Sequence, residues 1–141
     1  MSFDLERFVA AQRPAYEGVT AELRAGRKTG HWIWFIFPQL AGLRRSETSR
    51  YYGIASLDEA RAYLAHPVLG ARLGECAGLL LATEGRTAPD VLGSLDAMKV
   101  RSSMTLFHRA APDEPLFRAV LDRFYDGEAD PATDELIGTA S

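Results

Sequence analysis

One cysteine, Cys76, and two lysines, Lys28 and Lys99, stand among 141 residues. A lone cysteine excludes an internal disulfide framework and any multi-cysteine metal site. The longest apolar run, residues 32–37, falls far short of the roughly 18 residues that cross a bilayer. Asp4 and Glu6 lie where a signal peptide carries positive charge, so the expectation is a cytoplasmic chain with no membrane association. The sequence has no Gly-rich loop closing on Lys-Ser or Lys-Thr, no His-Glu-x-x-His and no Gly-x-Ser-x-Gly. His31, His66 and His108 are scattered, and no local spacing supports a metal site. Neither a metal nor a cofactor is expected.

What is present fits an ordinary globule: 47% hydrophobic and 25% charged residues in a length typical of one domain. The formal net charge of −3 hides an asymmetry. Residues 24–50 hold Arg24, Arg27, Lys28, Arg44, Arg45 and Arg50 against Glu47 alone, or +5. Residues 113–141 hold eight acids and two arginines, or −6. Such a field suits an anionic ligand, although two halves of opposite sign can also simply face each other. A pI near 5.6 and only two lysines argue against nucleic acid.

Helical spacing runs through the chain. Leu5, Phe8, Val9, Tyr16, Val19 and Leu23 recur at helical intervals, with Pro14 expected to split the segment and open a second helix. Gln12 projects onto the same stripe as a buried polar group in need of partners, and Gly26 is placed to end the helix. Residues 31–38 could be a buried strand or a short buried helix. No second strand is available to pair with them, so a helical turn or two is expected. Ser56 and Glu59 have capping-box spacing. Leu69, Leu73, Cys76 and Leu80 form one apolar face, which makes Cys76 a core residue rather than a nucleophile. Further helices are expected to start near Thr87, Ser94 and Pro115, and a weak one near Pro131. The expected fold is all-α: a compact single domain over residues 3–126 with about seven or eight mostly short helices. Residues 127–141 follow as an acidic tail with a short last helix.

Two constellations carry chemistry. Arg27, Lys28, His31, Trp32, Trp34 and Gln39 cluster within one short segment. The basic residues can neutralise phosphate and the indoles can stack on a ring. His31 can exchange protons near neutral pH, and Gln39 can fix an orientation. The same segment can equally be an aromatic core plug with solvated cations at its mouth. Asp96, Lys99 and Ser103 share a helix face, and Lys99 four residues before Ser103 could ease deprotonation of the hydroxyl. Ser102 lies beside them. These hydroxyls can instead bond their own helix carbonyls.

Several stretches together resemble a known family: Gly26-Arg27-Lys28, His31-Trp32-Ile33-Trp34-Phe35, His66-Pro67-Val68-Leu69-Gly70, Asp96-Ala97-Met98-Lys99 and Ser102-Ser103-Met104-Thr105-Leu106-Phe107. They are similar to the bacterial domain-of-unknown-function family 1810, over nearly the whole chain from residue 3 to about 125. The resemblance implies a compact multihelical domain and no particular reaction. Arg44-Arg45 departs from the family, which more often has glycine and small residues there.

The functional expectation is a domain that binds or processes an anionic small molecule, a nucleotide or phosphorylated metabolite. Its pocket would lie between residues 27–39 and the 96–105 helix. His31, Lys99 and Ser103 are the candidate catalytic residues; Gln12, Arg27, Lys28, Trp32, Trp34, Gln39 and Ser102 are the candidate ligand contacts. The alternative is a non-enzymatic interaction module in which the basic 24–50 region docks onto an acidic partner or a second copy, giving a homodimer.

Overall fold

A computed structural model describes the backbone of residues 3–140 and side chains through residue 138. Nine helices follow one another among the described residues: α1 (Glu6–Ala25), α2 (Ile33–Ile36), α3 (Glu47–Tyr51), α4 (Leu57–Ala65), α5 (Leu69–Leu81), α6 (Ala88–Leu92), α7 (Ser94–Ala110), α8 (Pro115–Phe124) and α9 (Pro131–Ala140). The domain is all-α, and the described residues contain no strand. The nearest approach to one is a single parallel bridge between Leu40 and Ile54, closed by Ala41 N–H to Ile54 O and Ile54 N–H to Gln39 O. The aromatic segment folds as the short helix α2. The five-residue α3, capped by the Ser46 hydroxyl, gave no periodic signal.

Pro14 does not divide α1. A proline within a helix removes the N–H that would bond the carbonyl four residues back, here that of Ala10. Both Pro14 and Ala10 are exposed, so water can satisfy this carbonyl and the helix continues. It ends at Gly26 (φ 72°), whose N–H and that of Arg27 bond the Leu23 and Glu22 carbonyls. Only glycine adopts that backbone readily, and a Cβ there would also press on the Arg86 side chain at 3.2 Å.

α7 is the centre of the domain, with α4, α6, α8 and α9 packed around it and α2 at one side. An aromatic series runs across the core through four helices. Phe8 of α1 meets Tyr63 of α4 edge-on at 5.1 Å, Tyr63 meets Phe107 of α7 at 5.4 Å, and Phe107 meets Phe117 of α8 at 5.8 Å. Each ring removes a large apolar area from water and adds a favourable quadrupole contact. Cys76 is fully buried in the same core, as its place on the leucine face implied.

Polar groups in this interior are bonded in sets. The Gln12 amide donates to the Phe35 carbonyl (2.7 Å) and to the Tyr63 hydroxyl (3.1 Å), and its oxygen accepts from Arg72 (3.3 Å). One side chain therefore fastens α1 to α2, α4 and α5. Arg7 and Glu59 form a buried ion pair at 3.1 Å, and Arg7 also donates to the carbonyls of Tyr51 and Gly53. The capping box at Ser56 is half of what the spacing suggested. Ser56 Oγ accepts from Glu59 N–H, but the Glu59 carboxylate accepts from Ala55 N–H, one residue earlier, because Arg7 draws it inward. His66 Nδ1 accepts from the N–H groups of Val68 and Leu69, satisfying the start of α5.

Candidate functional site

The loop between α1 and α2 is built on a carboxylate. Glu22 Oε1 accepts from the N–H groups of Thr29 (2.6 Å) and Gly30 (2.8 Å) and from the Trp32 indole (3.0 Å). Burial opposes ionisation of Glu22, but these donors outweigh it and hold the carboxyl below its ordinary range. Lys28 N–H bonds the Val91 carbonyl at 2.7 Å, which joins the loop to α6 and so to the start of α7.

This junction brings the two sequence constellations together. Lys28 Nζ lies 2.6 Å from one oxygen of Asp96, and Lys99 Nζ lies 3.1 Å from the other. The Lys28 side chain is 6% exposed; Asp96 and Lys99 are each 18% exposed. Each ammonium also stands against an indole, Lys28 at 5.0 Å from the Trp32 ring and Lys99 at 4.4 Å from the Trp34 ring. Burial works against the charge on Asp96, yet the two ammonium groups prevail and its carboxyl titrates below the usual range. Two cations share one anion, so the cluster carries one uncompensated positive charge in a setting where screening by water is weak.

The two lysines differ in what remains open. Lys28 donates to the Gly30 carbonyl as well as to Asp96 and is almost wholly enclosed. Among the described residues Lys99 bonds Asp96 alone, its remaining donors lie beside the half-buried Trp34, and its side chain reaches solvent. The reachable part of the cluster is therefore Lys99 with the Trp34 ring, while Lys28 and Asp96 stand behind it.

The other candidate residues take different places. Trp32 is buried with its indole N–H committed to Glu22, so its ring belongs to the core. Gln12 has its amide engaged on both sides within the interior. Arg27 and His31 are exposed, and their side chains bond no described residue. Ser103 is fully buried, its hydroxyl has no hydrogen-bond partner among the described residues, and Lys99 is drawn to Asp96 instead. That geometry gives Ser103 neither a base nor an opening. Gln39 is also buried, with both amide atoms unpartnered among the described residues. Ser102 donates to Asp130 Oδ2 at 2.7 Å.

Asp130 was not expected at a site. It precedes α9, accepts from Ser102 and from Thr133 (2.6 Å), and receives the Ala132 N–H at 3.4 Å. Burial disfavours its charge, but the Thr133 and Ser102 hydroxyls outweigh that and lower its pKa. A depression of about 210 Å³ opens beside it, lined also by Leu43, Arg44, Met98, Arg101 and Ser102. The sequence signals for this place were Ser102 and the Arg44-Arg45 pair; Asp130 lies 28 residues from its partner Ser102 and gave none. Among the described residues, no three His, Cys, Asp or Glu side chains gather to hold a metal. No helix described is long and apolar enough to cross a membrane.

The chain is similar to known proteins in two ways. The sequence profile of a family described as "Protein of unknown function (DUF1810)" matches residues 2–137. The fold is similar to the crystal structure of the conserved hypothetical protein Rv1873 from Mycobacterium tuberculosis, with 51% sequence identity and a TM-score of 0.95 over 96% of this chain and 97% of that one. No curated protein matches.

Proposed function

We infer a function from the premise that this chain belongs to the DUF1810 family of proteins of unknown function, so that the reading rests on the site itself. The domain binds a small oxyanion-bearing molecule, a nucleotide or phosphorylated metabolite, at Lys99 and Trp34. The observation that carries this is the shared carboxylate: Asp96 neutralises only one of the two ammonium groups that touch it. An anionic group beside Lys99 restores neutrality, and a ring or sugar face can rest on Trp34. Lys28 and Asp96 position Lys99 from behind. Binding does not require His31 or Ser103, and the reading assigns no bond-breaking step.

A thermal-shift series with inorganic phosphate, nucleoside monophosphates and sugar phosphates tests it. At a ligand concentration of ~100 Kd, binding adds about 2.7 kcal/mol, or roughly 5–10 °C for a chain of this size. The shift is expected in the wild type and in His31→Ala and absent in Lys99→Met. No shift with any of these anions, or an equal shift in Lys99→Met, contradicts the reading.

A second reading, docking of the basic 24–50 region onto an acidic partner, draws on Arg24, Arg27, Arg45 and Arg50, which are all exposed. The acidic tail gives less support to self-association than its charge suggested. Asp134 pairs with Arg109, Glu128 with Arg101, and Asp130 with Ser102, all within the same chain. Sedimentation across salt concentration separates this reading: salt-sensitive association favours it, and an unchanged monomer counts against it.

A further inference from the structure

Arg44 is the half-buried cation whose side chain has no bonding partner among the described residues. The others are engaged: Arg7 with Glu59, Lys28 and Lys99 with Asp96, Arg72 with Gln12, and Arg101 with the Glu128 and Ala129 carbonyls. Its Nε is shut off from solvent and donates to nothing described. An enclosed guanidinium N–H without an acceptor is costly, so Arg44 has an incentive to turn toward any acceptor that arrives.

The acceptor has a place to arrive. Arg44 lines the 210 Å³ depression on the flank of α7 together with Arg101 and Asp130. Arg101 is already paired with the Glu128 carboxylate and held by two carbonyls, which leaves Arg44 as the cation there without a partner among the described residues and able to move. The volume is smaller than the roughly 300–1,000 Å³ of sites for drug-sized ligands. Leu43 and Met98 supply an apolar wall. Oδ2 of Asp130 is saturated by two hydroxyls, but Oδ1 receives only the 3.4 Å contact from Ala132 and can accept a further hydrogen bond.

We propose that this depression is a second binding site, distinct from Lys99 and Trp34, for a small hydroxylated oxyanion: a 2-hydroxy acid or a polyol phosphate. The anionic group takes the Arg44 guanidinium through Nε and one Nη, the paired geometry that guanidinium offers to carboxylate and phosphate. The neighbouring hydroxyl donates to Asp130 Oδ1, and the carbon skeleton lies on Leu43 and Met98. Arg45, next along the chain, is exposed and contributes only to the surrounding field.

The test is an NMR titration of the 15N-labelled full chain with lactate and glycerol phosphate as probes, and with butyrate as the probe lacking the hydroxyl. Arginine Nε–H resonances report Arg44 directly. Saturable shifts of the Arg44 Nε–H and of the Met98 and Ser102 amides are expected, with butyrate at least several-fold weaker. Arg44→Gln is expected to weaken binding roughly tenfold or more, the usual effect of losing a charge-assisted hydrogen bond. Arg45→Gln and Lys99→Met leave it within about twofold, and the latter separates this site from the one proposed above. Absence of saturable shifts at Arg44, equal weakening by Arg45→Gln, or shifts centred on Lys99 and Trp34 instead would overturn the proposal. Arg44→Lys, which keeps the charge without the planar fork, should restore less than half of the lost affinity; full restoration would also contradict the paired geometry.

Discussion

Asp96 does more than any other single side chain to define the candidate site, because it holds two ammonium groups that come from distant parts of the sequence. Asp96→Asn removes the counter-charge of Lys28, which is 6% exposed and would keep only neutral acceptors such as the Gly30 carbonyl. Breaking one side of such a pair costs roughly 3 kcal/mol, to be read as a lowered urea midpoint. The pH dependence has a definite sign. The folded-state pKa of Asp96 is depressed, so the unfolded chain takes up the proton first as pH falls. The stabilisation is complete above the ordinary carboxylate value of ~3.9 and disappears as pH drops through the folded value. Unfolding midpoints measured from pH 6 to pH 3 should therefore fall more steeply for the wild type than for Asp96→Asn. Parallel curves would remove Asp96 from the account. Cys76 gives a contrasting case: burial pushes its thiol up to about 12 and seals it in the leucine face. A thiol reagent at pH 8 should leave the native protein unmodified and label it fully in denaturant; fast native labelling would show that the α5 face opens.

The elements show how local physics and tertiary packing divide the work. α5 and α7 lie where their apolar spacing puts them, and α6 and α8 start at the capping side chains of Thr87 and Glu114. α1 differs because the effect of a proline depends on which way the orphaned carbonyl points, and sequence spacing does not show that. With Ala10 and Pro14 both exposed, the interruption is tolerated rather than structural. Pro14→Ala should restore the missing bond and, after the added entropy of the unfolded chain, raise stability by about 1 kcal/mol, or roughly 3 °C in Tm. A lower Tm would mean that the proline shapes the packing of α1. Glu59 and His66 were also only partly legible. The first is turned by Arg7 from 52 positions away, and the second acts as a cap that ordinary N-terminal preferences do not include.

For the whole molecule, the net charge of −3 is a poor guide to the surface that matters. The acidic tail is folded back: α9 lies on α7, with Arg109 bound through both guanidinium arms to Asp134 and the Asp130 N–H bonded to the Thr105 hydroxyl. Much of the negative charge is thus spent within the chain, whereas Arg24, Arg27, Arg45 and Arg50 remain exposed. The sequence made the two polar segments visible, but only folding placed Lys28 against Lys99. It also withdrew Trp32 and Ser103 into the interior, an outcome governed by contacts between helices far apart in sequence, whereas the burial of Gln12 was legible from its place on the apolar stripe of α1. The most direct measurement is a fluorescence titration of the Trp32→Phe variant, in which Trp34 is the sole indole, with a nucleoside monophosphate. Binding at Lys99 and Trp34 should give a saturable change in Trp34 emission, at least tenfold weaker in the same background carrying Lys99→Met and reduced by added salt. An unchanged emission, or an equal response without Lys99, would contradict it.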